Sequence, residues 1–165
     1  MGEVHHTVTV FLNQLQYVRC GMSGAAIGWG YAAVTLLGLM GALSARLTRR
    51  LGERRAGAGM LILCALACGV LAAARSAILS VAAIALLRVA FQLFAPLSAR
   101  MQNDWVTVPD RAAALSVNAV AGDAAAIATS LLLGGLAETD LPSAMGAGAI
   151  LCAAGLLLFL KSQRA

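Results

Sequence analysis

Long apolar stretches alternate with short polar connections along the whole chain. Five stretches have the length of about 20 mostly apolar residues that a transmembrane helix requires: residues 24–47, 57–74, 76–98, 111–137 and 142–160. A sixth stretch, residues 4–22, is more polar and contains a strand-like run at residues 7–12. A lone strand cannot cross a bilayer, because its backbone groups would stay unpaired, so we interpret this stretch as a helix. The pattern predicts a single domain, residues 1–165, that is an all-α polytopic membrane bundle of six transmembrane helices.

The composition fits lipid as the solvent of this chain. Hydrophobic residues make up 61% and charged residues 12%, whereas soluble domains carry roughly 25% charged residues. A net charge of +5 can indicate nucleic-acid binding. Here aromatic residues are few and the arginines lie between apolar stretches, so we interpret the charge as loop charge and expect no nucleic-acid partner.

The basic residues are distributed unevenly between the two ends of the predicted helices. One end, together with the C-terminal tail, carries nine of them: Arg46, Arg49, Arg50, Arg54, Arg55, Arg100, Arg111, Lys161 and Arg164. The opposite end carries Arg19 and Arg75, and Arg88 lies inside the fourth stretch. Because Lys and Arg accumulate in cytoplasmic loops, this asymmetry predicts a multi-pass protein of the plasma (inner) membrane with both termini in the cytoplasm. An even number of crossings follows from that arrangement.

Two connections resemble a known transporter family. Residues 41–55 are similar to the Gly/Arg loop between the second and third helices of each half of major facilitator superfamily transporters, although Ala45 stands where the family pattern has an aspartate. Residues 103–116 resemble the cytoplasmic connection before the fifth helix of the C-terminal half. The resemblance implies two inverted three-helix repeats that form the C-terminal half of such a transporter, with the third and sixth helices facing lipid. It also implies secondary active transport of a small molecule, with proton-coupled efflux and uptake both open.

Two charged residues fall deep inside predicted spans. Arg88 lies about 15 Å from the cytoplasmic end of the fourth span, and Asp123 lies about 18 Å into the fifth. Intramembrane charges are commonly paired and functional. We therefore hypothesise an Arg88–Asp123 pair, or a cavity in which each residue meets a substrate or a proton. A purely structural ion pair and an arginine that extends to the interface are the alternatives.

Further polar residues are candidates for the pathway or for gating. The pathway candidates on the first and fourth spans are Asn13, Gln14, Tyr17 and Gln92; we expect Gln14 and Tyr17 to share a helix face, and Gln92 to lie one turn from Arg88. The gating candidates in the basic loop are Arg46, Gly52, Arg54 and Arg55, with Glu53 as their local partner. Topology anchoring alone is the alternative role for that loop.

Other features of the sequence have structural interpretations. Gly24 and Gly28 form a small-xxx-small element that predicts close packing of the second helix. The four cysteines, Cys20, Cys64, Cys68 and Cys152, are interpreted as packing residues, because a structural zinc site needs four ligands. We expect no metal and no cofactor.

Two readings compete with transport. Gly21-Met22-Ser23-Gly24 resembles the nucleophile motif of rhomboid proteases, but that chemistry needs a histidine base, and helical rise places His5 and His6 about 25 Å from Ser23. We therefore expect no enzymatic activity. The other reading is a non-transporting assembly protein or an inactive, truncated remnant, because six helices are only half of the family's fold. The abrupt Met1 and the weak first span favour a truncated product, and a transporter would require the missing N-terminal half or a second six-helix chain.

Overall fold

Six helices account for nearly all of the residues that the computed structural model describes, which are 2–106 and 110–162. They are α1 (residues 2–19), α2 (Gly24–Leu51), α3 (Glu53–Ala73), α4 (Ala77–Trp105), α5 (Arg111–Thr139) and α6 (Leu141–Ser162). No β-strand occurs within the described ranges, so the all-α prediction is confirmed. Helices α2 to α6 are long and apolar enough to cross a membrane. Helix α1 is not among them, and the sixth crossing stays a prediction.

Helix α1 is continuous but irregular. Its α-helical ends, Gly2–His6 and Asn13–Arg19, flank a π-helix at Thr7–Leu12. Consecutive β-branched residues crowd the preceding turn of an α-helix, and the Thr9 hydroxyl donates to the His5 carbonyl oxygen at 2.8 Å. Such back-bonding competes with the regular helical ladder. The strand-like run is therefore helical in the structure, with a wider turn.

The turns between helices are shorter than the sequence suggests. Gly52 alone separates α2 from α3 and adopts φ +80°, a left-handed conformation that favours glycine. The predicted basic loop is therefore helical on both sides of Gly52. Helix α4 likewise continues to Trp105, beyond the predicted end at residue 98. At the start of α5, the Asp110 carboxylate accepts a hydrogen bond from the Ala113 amide at 3.1 Å. The basic tail residue Arg164 lies outside the described residues.

Helix α3 lies at the centre of the packing and contacts both α4 and α6 extensively. The Cys64, Cys68 and Cys152 side chains are fully buried there, and all four cysteines are free thiols. Their predicted role in packing is confirmed for these three. Because α3 packs on two neighbours, it has the largest buried share of the five apolar spans; its remaining face carries exposed apolar residues such as Ile62 and Leu66. Contact of that face with lipid stays a prediction.

Helices α2 and α5 lie at the edges of the bundle and bury few residues within this chain. Helix α2 packs against α4, whereas α5 packs against α6 and α1. Large apolar side chains on both helices are strongly exposed, among them Trp29, Leu39, Val117 and Leu131. Two helices of a membrane chain therefore present broad apolar faces that this chain itself does not cover.

Contacts at the two ends of the bundle show that the helices alternate in direction. At one end, the Gln16 amide near the end of α1 reaches the Ala74 carbonyl oxygen between α3 and α4. At the other end, Arg100 near the end of α4 pairs with Glu53 at the start of α3. In this up-and-down arrangement, successive connections lie at alternate ends of the bundle, as the predicted distribution of basic residues requires.

Candidate functional site

A small cleft opens between α1, α2 and α4, and we call it the Arg88 cleft. Its polar lining comes from all three helices: Thr9 and Asn13 from α1, Tyr31 and Thr35 from α2, and Arg88 from α4, with Val10 and Val34 completing it. The cavity measures about 20 Å³, which is room for about one water molecule. The structure thus brings two of the predicted pathway residues, Asn13 and Arg88, to one place.

Arg88 has no ionic partner in the described part of the chain. Its side chain is half-buried, and its Nε atom is buried without a hydrogen-bond partner. The ion pairs of the described residues are both made by Arg100. Asp123 is exposed on α5, so the hypothesised Arg88–Asp123 pair is wrong for this structure. Helix α5 packs on α6 and α1 rather than alongside α4, and the matched depth of the two residues therefore does not bring them together.

The candidates on α1 separate into different environments. Asn13 is only 3% exposed and lies at the cleft, whereas Tyr17 is fully buried in the core. Gln14 is exposed on the outside of the helix. The prediction that Gln14 and Tyr17 share a face is wrong, because a spacing of three residues still leaves about 60° between side chains. The boundary between buried and exposed surface falls within that angle.

Gln16, an amide in the same polar stretch of α1, has a structural role. Its fully buried Nε2 donates to the Ala74 carbonyl oxygen at 3.0 Å and to Ser80 Oγ at 2.9 Å. These bonds join α1 to the connection between α3 and α4. The sequence shows Gln16 as one amide in a polar stretch, but only the packing distinguishes it from its exposed neighbour Gln14.

Gln92 lies where α2 and α4 approach each other closely. A Cβ atom at Gly38 would lie 3.0 Å from Gln92 Nε2 and 3.9 Å from Arg88 Nη2, and one at Gly41 would lie 3.1 Å from the Gln92 carbonyl oxygen. Gln92 and Arg88 therefore both flank Gly38, as their one-turn spacing suggested. The close packing predicted at Gly24 and Gly28 does not form among the described residues, where a Cβ at either position has no neighbour within 4 Å.

His5 is a buried polar residue beside the cleft. Its position near the N-terminus, far from Ser23, gave no indication of this in the sequence. It is 3% exposed, and its ring stacks on Phe91 with centroids 4.0 Å apart and planes 9° apart. Its Nε2 lies 3.4 Å from the Thr9 hydroxyl, while Nδ1 is buried without a partner. The signal that could have found it is its spacing of four residues from Thr9, which places both on one side of α1.

The basic segment around Gly52 makes a different ion pair from the one expected. Arg46, Arg54 and Arg55 are exposed, and Glu53 pairs at 3.5 Å with Arg100 rather than with its sequence neighbours. Arg100 reaches Glu53 because α4 stays helical past residue 98. The two side chains are 65% and 41% exposed, so solvent screens the pair, and pairs of this kind contribute at most about 1 kcal/mol.

The constellation expected of a protease does not form. The Ser23 hydroxyl accepts the Ala26 amide at 3.3 Å and so caps the start of α2, while His5 is held against Phe91. A family model described as Major Facilitator Superfamily matches residues 7–165. The chain belongs to the major facilitator superfamily. No curated protein and no solved structure matches it.

Membership places the chain in a known functional class. Proteins of the major facilitator superfamily are transporters and not enzymes, so this chain is a multi-pass membrane protein with a transporter-type function. The resemblance found in the two connections is thereby confirmed at the level of the family. The chain lies in a lipid bilayer, and its family implies a transported substrate.

Proposed function

We propose that this chain is one six-helix unit of a secondary active transporter for a small molecule, and that the Arg88 cleft is its contribution to the pathway. One observation carries the proposal: polar side chains from three helices converge in the interior of an otherwise apolar bundle. Polar and charged residues at membrane depth are costly, and they typically mark substrate or ion pathways. The π-helix of α1 lies along this cleft, and such segments are frequent at functional sites.

The unit is proposed to be the C-terminal half, working with a second six-helix unit that is either the N-terminal half or another chain. The resemblance of residues 103–116 supports the assignment of the half. The uncovered faces of α2 and α5 support the partner, because Asp123 and Gln14 then open towards a pathway between the two units. Asp123 is the proposed proton site, and transport as a symporter or as an antiporter follows from that coupling.

The proposed topology places both termini in the cytoplasm of the plasma (inner) membrane. The distribution of basic residues supports it, since Arg46, Arg49, Arg50, Arg54 and Arg55 all flank Gly52 at one end of the bundle. In the same orientation, the basic segment and the Glu53–Arg100 pair lie at the cytoplasmic surface, where they can respond to movement between helices.

An uptake comparison tests transport without a known substrate. Cells that express the wild-type chain, the Arg88→Gln variant or the Arg75→Gln variant are incubated with a mixture of metabolites, and the internal pools are measured by mass spectrometry. Arg75 is the matched control, because it removes the same charge at an exposed turn between α3 and α4. We expect at least one pool to change with wild-type and Arg75→Gln chains and not with Arg88→Gln, at equal membrane levels.

One observation favours a second candidate function. Helix α1 is not among the spans that are long and apolar enough to cross a membrane, which fits a non-transporting assembly protein or an inactive remnant. The uptake comparison separates the two readings: three chains with identical metabolite pools at equal membrane levels would overturn the transporter proposal. The mass of the protein in detergent then distinguishes a monomer of 16.8 kDa from a paired unit.

A further inference from the structure

Arg88 carries a positive charge with no ion-pair partner among the described residues. The chain has seven acidic residues, all of them within the described ranges, and none forms an ion pair with Arg88. The Nε atom is shielded from solvent without an acceptor, and Arg88 lines the cleft. An unpaired charge that is partly removed from solvent is unfavourable, so this site favours a negative group brought from outside the chain.

The polar groups around Arg88 can all donate hydrogen bonds. Asn13 Oδ1 accepts the Gln14 amide at 2.7 Å, and both hydrogens of the Asn13 NH₂ group are left for a ligand. Tyr31 and Thr35 add hydroxyls at the same cleft, and a hydroxyl can donate or accept. Because Arg88 is the one charged residue of the lining, the set suits an anion better than a cation.

The size of the site narrows the kind of anion. A cavity of about 20 Å³, with room for about one water molecule, admits only the end of an anionic group, and a flat carboxylate enters so narrow a cleft more readily than a tetrahedral phosphate. The planar guanidinium also matches a carboxylate in a two-pronged hydrogen-bonded geometry. The open α2 side, where Tyr31 and Thr35 are exposed, leaves room for the rest of the molecule outside the cleft.

We propose that the Arg88 cleft binds the carboxylate group of a small organic anion, which makes the substrate class of the proposed transporter a carboxylate. The assignment of a transported substrate rests on the proposed function, but binding at the cleft is measurable without transport. Arg88 provides the ionic contact, while Asn13 and Thr35 orient the carboxylate from the two flanking helices.

The test uses the full 165-residue chain in nanodiscs of phosphatidylcholine, and the measurement is its thermal unfolding midpoint. The probes are succinate and acetate, with succinamide and acetamide as uncharged matches and sodium chloride as the ionic-strength control. We expect the carboxylates to raise the midpoint of the wild-type and Arg75→Gln chains and the amides to leave it unchanged. In Arg88→Gln, the apparent affinity for succinate should fall on the order of tenfold or more, because a charge-assisted hydrogen-bonded pair is lost.

Two further variants keep the test decisive. Arg88→Lys preserves the charge but not the planar, two-pronged donor geometry of the guanidinium. It should bind succinate more weakly than wild type and more tightly than Arg88→Gln. Thr35→Val keeps the side-chain shape and should weaken binding without abolishing it. If Arg88→Gln does not insert, labelling of wild-type arginines with phenylglyoxal replaces it: succinate should protect the Arg88 peptide and leave the Arg75 peptide labelled.

Three results would overturn the proposal. The first is that the amides stabilise the chain as well as the carboxylates do. The second is that succinate has the same effect on Arg88→Gln as on wild type. The third is that only nanodiscs containing phosphatidylglycerol stabilise the chain, which would assign the cleft to an anionic lipid headgroup. Uptake of an uncharged metabolite that depends on Arg88 would instead uphold transport while refuting the carboxylate assignment, so the two proposals fail separately.

Discussion

Replacing Gln16 by leucine tests whether side-chain hydrogen bonds hold α1 to the rest of the bundle. Gln16 Nε2 donates to the Ala74 carbonyl oxygen and to Ser80 Oγ, and the residue is fully buried. Leucine is close to glutamine in volume, so the substitution leaves no large cavity. The change in the free energy of unfolding therefore reports mainly on the two hydrogen bonds.

The magnitude follows from the number of bonds and from one unsatisfied atom. Hydrogen bonds between membrane helices contribute about 0.6 kcal/mol on average and about 1.7 kcal/mol at most, so the two bonds of Gln16 together contribute about 1–3 kcal/mol. Gln16 Oε1 is buried without a partner, and its removal offsets about 1 kcal/mol of that loss. We expect Gln16→Leu to destabilise the chain by about 0–2 kcal/mol.

Gln14→Leu is the matched control, because Gln14 is an exposed amide two residues away on the same helix. We expect its effect to stay within about 0.5 kcal/mol. The free energies come from steric trapping or from unfolding in mixed micelles, with helix content followed by circular dichroism. A double-mutant cycle with Ser80→Ala should give a coupling energy of about 0.6 kcal/mol. Equal effects of the two leucine variants, or strictly additive effects of Gln16→Leu and Ser80→Ala, would refute the reasoning.

Three further predictions concern other contacts. Gly148→Leu should lower the free energy of unfolding by about 1–3 kcal/mol or more, because even a Cβ there would lie 3.2 Å from Val4 Cγ1. Gly146→Leu should be tolerated in the same unfolding assay, because a Cβ at that position has no described neighbour within 4 Å. Hydrogen bonds from the side chain and backbone of Ser143 hold the pKa of Asp140 below its usual value. The resulting stabilisation should be present above about pH 4 and should be lost as the pH falls through the lower folded-state pKa. Asp140→Asn should remove this pH dependence from thermal melts. Glu53→Gln should change the free energy of unfolding by less than about 1 kcal/mol at low salt. In about 0.5 M salt the change should be smaller still, because ions screen the exposed pair. A large loss that does not depend on salt would show that the Glu53–Arg100 pair is not screened by solvent.

The family and the fold class were accessible from the sequence for a physical reason. A bilayer requires helices of a certain length and apolarity, and this requirement is met by consecutive residues, so it is visible along the chain. The stretch predicted at residues 142–160 lies within α6, and the one at residues 57–74 exceeds α3 (Glu53–Ala73) by one residue. The basic segment around Gly52 could be recognised for a similar reason, since its glycine and arginines are local features.

The site was only partly accessible, because it depends on which helix faces meet. Depth along a helix follows from residue number, and Arg88 could therefore be singled out. Whether Asp123 pairs with it could not be decided from the sequence, since Asp123 has a matching depth but lies on α5, which packs on α6 and α1. His5 and Gln16 gained their roles from neighbours far away in the sequence, Phe91 and Ser80, that no local pattern connects to them.

The sequence by itself therefore determined that this chain is an all-helical membrane protein of the major facilitator superfamily, with polar residues at stated depths. Only the tertiary structure decided which of those residues share a cleft, because the rotation of each helix about its axis is set by packing against its neighbours. The close approach of Gly38 and Gly41 to Gln92 restricts that rotation for α2. Packing brings Arg88, Asn13 and Thr35 to one cleft and leaves Asp123 exposed on α5.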